Sequence, residues 1–154
     1  MMISEKYSLH DGLQRIQAKQ GILLEIEDIF RMPKLEFGIN SPKEIKERIN
    51  EKFAEHGWAD KVKIGTSNLT ISFLKSKIGV CFQIGNVART YADVLKLCQL
   101  HKRGIIDAGV IIVPHKAESK KMGANYAQYE RLANELSQFE DIVAAPILVM
   151  AMSN

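Results

Sequence analysis

Residues 105–113 are apolar at nearly every position, and Pro114 ends the run. The stretch is too short to cross a membrane and shows no polar alternation, so it predicts a central strand covered on both faces. A strand of that kind forces a layered fold, because each face of its sheet needs helices to cover it. The rest of the sequence supplies them. A helix is predicted over 12–30, with Leu13, Ile16, Leu23, Ile26, Ile29 and Phe30 near one stripe and Gly21 as the place where it can break. The next has a defined start: Ser41 as N-cap, Pro42 at the first helical position, and Glu44 completing a capping box. Ile45, Ile49 and Phe53 line its buried side, Gly57 is a left-handed C-cap, and Trp58 is expected to fold back and pack.

After Lys61 the hydrophobic period changes from four to two. Val62 and Ile64 make a short strand, and Leu69, Ile71 and Phe73 alternate with Thr70 and Ser72. Lys75-Ser76-Lys77 reads as a tight turn. The returning strand then carries Ile78, Val80, Phe82 and Ile84 on one face and Gly79, Cys81, Gln83 and Gly85 on the other. A helix over 87–101 is expected to turn Tyr91, Val94, Leu95 and Leu97 inward and to leave Asp93 facing solvent or capping a neighbour. One or two helices follow over 117–139, interrupted near Gly123, and 145–152 supplies a last apolar strand. The predicted order is two helices, a three-strand meander, then helix–strand–helix–strand. The fold class is α/β, a mixed sheet flanked by helices, in a single domain over 1–154.

The 154 residues suffice for a core without covalent staples, and Cys81 and Cys98 are too few for a disulfide scaffold. The expectation is a soluble cytoplasmic protein with no membrane segment. Charge is uneven. Residues 1–71 balance eleven basic against eleven acidic side chains, whereas 72–121 carry nine basic against three acidic, a local +6, and 122–154 return −3. A basic middle third suits a polyanion, although a solvated lysine face has the same composition. Cys81 with His101 or His115 as base is one conceivable nucleophile, but a small residue packed on a strand is the preferred reading. The histidines lack zinc-ligand spacing, and Gly79, Gly85 and Gly104 make no phosphate loop.

Segments 71–86 (ISFLKSKIGVCFQIGN), 91–96 (YADVLK), 105–116 (IIDAGVIIVPHK) and 145–150 (APILVM) together resemble the catalytic half of the BglII/BstYI-type restriction endonucleases. Upstream, 5–17 (EKYSLHDGLQRIQ) and 49–58 (INEKFAEHGW) resemble that family's N-terminal helices. The resemblance implies a restriction-endonuclease-like fold of PD-(D/E)XK type, and a homodimer that cuts double-stranded DNA at GATC-centred palindromes with Mg²⁺. The family's metal-binding Asp falls on Ser72 and its Glu on Cys81, while Gln83 matches the third active-site position. A hydroxyl and a thiol are poor ligands for Mg²⁺, which wants hard anionic oxygens. Two expectations stay open. One is a DNA-binding protein without catalysis and without a cofactor, using Lys75, Lys77, Asn86, Arg89, Lys102 and Arg103 near the cleft. The other is an active Mg²⁺-dependent endonuclease whose acids have moved, for example to Asp93 or Asp107. The stretch between Trp58 and Leu69 is short for the family, which removes part of the DNA-gripping surface on either expectation.

Overall fold

The computed structural model describes residues 1–154, with elements in the order β1 (Met2–Leu9), α1 (Gly12–Gln17), α2 (Ile22–Ile29), α3 (Pro42–Glu55), β2 (Ala59–Lys63), β3 (Thr70–Lys75), β4 (Ile78–Phe82), α4 (Arg89–Lys102), β5 (Ala108–Pro114), α5 (Lys116–Met122), α6 (Tyr129–Gln138) and β6 (Ile147–Ser153). All six strands join one sheet in the order β1-β6-β5-β4-β3-β2. β4, β5 and β6 are parallel neighbours, and the remaining pairs are antiparallel. The sheet is therefore mixed, as the α/β reading requires.

Alternation along the central strands divides the core in two. Val110 and Ile112 with Leu148, Met150 and Met152 meet Ile16, Ile26, Phe30, Ile45, Ile49 and Phe53 on one side. Ile111 and Val113 with Ile147, Val149 and Ala151 meet Leu97, Leu100, Leu132 and Leu136 on the other. α3 is fastened to the sheet by Phe53, stacked on Phe73 at 3.8 Å between ring centroids. It ends in a Schellman motif: the Gly57 N–H donates to Ala54 O and the Trp58 N–H to Phe53 O, with Gly57 at φ 76°. Trp58 folds back edge-on to Phe53 and donates its indole N–H to Glu25 at 2.6 Å.

Several expectations need correction. Residues 2–9 are not part of the N-terminal helices: they form β1, antiparallel to β6. This strand lies at the sheet edge and is exposed at most positions, so its sequence carries no clean alternation. The helical stretch over 12–30 does break at Gly21, as its sequence allows: α1 ends at Gln17 and Gly21, at φ 76°, opens α2. In α4 the inward stripe is Thr90, Asp93, Val94, Leu97 and Leu100. Leu95 is 71% exposed and Tyr91 38% exposed, so neither points into the core. β5 starts at Ala108, two residues past buried Ile106, because Ile105 and Ile106 belong to the loop that brings the chain back from α4.

The β2–β3 hairpin also departs from simple alternation. Ile71 and Phe73, two residues apart, lie in opposite cores. Lys61, in the middle of β2, sits at φ 47°, and the part of the hairpin beyond it rolls toward α4, taking Val62, Ile64 and Ile71 with it. The β3–β4 connection is a two-residue turn in which both Ser76 (φ 50°) and Lys77 (φ 60°) are left-handed, as a type I′ hairpin demands.

Candidate functional site: a cationic cleft over the β3–β4 hairpin

Where β3 begins and β4 ends, the sheet opens into a cleft of about 520 Å³, walled by α3, the β2–β3 hairpin and the first turns of α4. Ser72 and Gln83 line it. The Phe73↔Val80 pair sets a register in which Ser72 lies opposite Cys81, so the two come together across the hairpin. Cys81 nevertheless does not line the cleft. It is 2% exposed and packs in the core shared with α4. The Ser72 hydroxyl accepts the Phe82 N–H at 3.0 Å, at the point where the ladder bonds of the hairpin stop.

The expectation that Asp93 faces solvent is corrected by its position. It is 4% exposed and turned inward from α4. Its Oδ2 accepts from Gln83 Nε2 at 3.3 Å and its Oδ1 receives the Lys96 ammonium at 3.0 Å. The Gln83 carbonyl in turn accepts the Gly85 N–H at 2.9 Å, which fixes the amide's orientation. Burial pushes the Cys81 thiol well above its ordinary range, and the adjacent Asp93 charge pushes it further; Lys96 and the Ser72 amide oppose both only in part. A neutral, buried thiol is no nucleophile. Its supposed bases are elsewhere: His115 pairs with Glu5 and Glu130, and His101 belongs to the last turn of α4.

These residues do not fit a magnesium ion. Ser72 and Cys81, where the resemblance led the metal ligands to be expected, are a hydroxyl engaged with the backbone and a buried thiol whose pKa is raised. The buried carboxylate beside Cys81, Asp93 of α4, is already paired with Lys96. Nowhere do three or more His, Cys, Asp or Glu side chains gather in a metal-holding group. Asp107 is not a substitute. It pairs with Lys19 and Lys77 at the hairpin-turn end of the sheet and does not line the cleft. Those contacts, led by the Lys19 hydrogen bond, hold its carboxyl below the ordinary range.

The basic residues named from the sequence separate. Arg89 lines the cleft. Asn86 spends its side-chain oxygen on the Ala88 N–H at the entrance to α4. Lys75 is bound to both Glu25 oxygens and to the His56 carbonyl, and Lys77 faces Asp107 at 3.5 Å; both lie at the turn end of the hairpin. Lys102 and Arg103 close α4 at its other end, where Arg103 reaches the Gly65 loop. The cleft instead draws Lys46 and Asn50 from α3, Lys61 from β2 and Lys96 from α4. Four cations face Asp60 and Asp93 there, a local excess of two. Lys46 and Asn50 stand four apart on one helix face, a spacing the sequence does show. They come from the charge-balanced first half, and only tertiary folding brings them opposite Arg89.

A model of the family described as restriction endonuclease BglII/BglIII matches residues 4–152. The chain belongs to the BglII/BglIII restriction endonuclease family. Members of known structure share the fold of this family member: restriction endonuclease BglII complexed with a DNA 16-mer superposes with a TM-score of 0.83 at 15% identity, covering 100% of this chain and 77% of that one. Free BglII gives a TM-score of 0.76 at 18% identity, covering 100% and 80%. No curated protein matches the sequence. No helix is long and apolar enough to cross a membrane.

Proposed function

We propose that this member of the family binds double-stranded DNA along the cationic cleft, as a homodimer, and does not cut it. The observation that carries the reading is the Asp93–Lys96–Gln83 network. It lies beside Ser72 and Cys81, the positions to which the family resemblance assigns the two metal-binding acids, in a cleft with an excess of positive charge. Four cations suit a backbone of phosphodiesters, whereas hydrolysis requires a metal-activated water that Ser72 and Cys81 do not provide. The fold is that of a protein solved with a DNA 16-mer, which supports DNA as the polyanion.

The test pairs an electrophoretic shift on duplex DNA with plasmid cleavage in Mg²⁺ and in Mn²⁺. The expected result is a shifted band, no nicking, and affinity that falls with salt at about 0.9 in log–log slope for each phosphate contacted. Cleavage by the wild-type chain would replace this reading with the active one, with Asp93 as the relocated acid. Affinity that stays flat with salt would remove the nucleic-acid reading.

A further inference from the structure

Lys96 has an unusual position for a lysine. Its side chain is only 18% exposed, beside an Asp93 side chain at 6%. An ammonium has three donors, and here its one side-chain acceptor is Asp93 Oδ1. Lys96 also lines the cleft together with Ser72, Gln83 and Arg89. A largely desolvated cation with donors to spare is stabilised by any anion that brings oxygens to it. Asp93 cannot supply more, because its second oxygen holds Gln83.

We infer that the Lys96 ammonium stands in for the divalent ion: it receives a DNA phosphate directly, and Asp93 fixes its position, so the cleft grips a phosphodiester without metal. This rests on the DNA-binding reading above and adds its anchor. The two carboxylates that would gather a metal are absent from positions 72 and 81, and a fixed charge carried by α4 lies beside Cys81. Asp93 is then a positioning residue and not a ligand. Its negative charge also competes with the phosphate for the same cation.

Asp93→Asn separates the two roles of Asp93, because the amide keeps an Oδ1 acceptor to hold the ammonium while the competing charge is gone. Binding of a fluorescent DNA duplex is measured by anisotropy in EDTA and in Mg²⁺ at matched ionic strength. The wild-type affinity is expected to agree between the two within about threefold, since only ion competition differs. Lys96→Gln should weaken binding about tenfold and lower the salt slope by about 0.9, the loss of one charged phosphate contact. Asp93→Asn should tighten binding in EDTA, because it removes the competing charge; if Asp93 gathered a metal, the same change would weaken binding in Mg²⁺. Since Lys96→Gln leaves Asp93 unpaired and can unfold the chain, Asp93→Asn/Lys96→Gln supplies a neutral pair with the same expected loss. Thermal stabilisation by inorganic phosphate, compared with chloride at equal ionic strength, gives a readout without DNA. Stabilisation of wild type but not of the double variant supports the anchor even if no duplex binds, in which case only the DNA reading fails. Wild-type binding that is present in Mg²⁺ and lost in EDTA, weaker binding by Asp93→Asn, or phosphate stabilisation equal in both proteins would overturn it.

Discussion

Gly79 and Gly109 lie side by side on β4 and β5 and form a notch for Leu97 of α4. Adding a methyl at Gly109 places its Cβ 2.7 Å from Leu97 Cδ1 and 3.0 Å from Cδ2. Carbon atoms pack best at about 3.5–4.0 Å, so Leu97 has to retreat by roughly 1 Å. It is fully buried and also sits 3.3 Å from where a Gly79 Cβ would be, so it has little room to turn. The Gly109 backbone is outside the left-handed region, and replacing a strand glycine by alanine would otherwise stabilise by about 0.5–1 kcal/mol. Overpacking of a filled core costs about 1–3 kcal/mol, which wins. Gly109→Ala should therefore lose about 1–2 kcal/mol, or roughly 2–8 °C in Tm for a chain of this size. Leu97→Ala alone should cost about 2–5 kcal/mol, and the double variant less than the sum, because each change relieves the other. The assay is a thermal and urea double-mutant cycle. A Gly109→Ala protein as stable as wild type, or strictly additive losses, would refute the notch. The same displacement should weaken DNA binding, since Asp93 lies one turn before Leu97 on α4.

Ser72→Asp with Cys81→Glu puts carboxylates beside Asp93 in a tight site, so the double variant should melt below wild type in EDTA. It should be stabilised by Mg²⁺ or Mn²⁺, by about 2.7 kcal/mol at a hundredfold excess over Kd, whereas wild type should show no such shift; calorimetric titration of both proteins decides. Replacing Ser76-Lys77 by Asn-Gly relieves two left-handed residues at the β3–β4 turn, and should stabilise by about 1 kcal/mol in urea melts without changing DNA affinity. Lost affinity would return Lys77 to the binding surface. Burial raises Glu25, but hydrogen bonds from Lys75 and Trp58 and the charges of Lys75 and His56 outweigh it, leaving the carboxyl below its ordinary 4.5. Its contribution is thus present above pH 4.5 and is lost as pH falls through the lower folded value. The stability gap to Glu25→Gln should close in that window, and a gap that widened there would show the sign to be wrong.

The sequence by itself determined the layered α/β class, the capping box that starts α3, the turn that ends it, the β3–β4 hairpin and the family, because each is written in local chemistry or in a motif order running over nearly the whole chain. Alternation along β4 also assigned Val80 and Cys81 to opposite cores correctly. It did not determine β1, whose exposed edge position leaves no hydrophobic period to read. Nor did it determine the site. The inward stripe of α4 depends on which part of the helix rests on the sheet, and Leu95 and Asp93 compete for it only through that docking. By hydrophobicity Leu95 belongs inside. Asp93 is inside because Lys96 and Gln83 neutralise and hydrogen-bond it there, a compensation that exists only once α4 lies across β4. The cations obey the same rule: charge counted along the chain pointed to Lys75 and Lys77, which folding ties to Glu25 and Asp107, while Lys46 and Lys61 reach the cleft from a stretch whose net charge is zero. Electrostatic partners are set by distance in space, and that distance is a property of the tertiary structure.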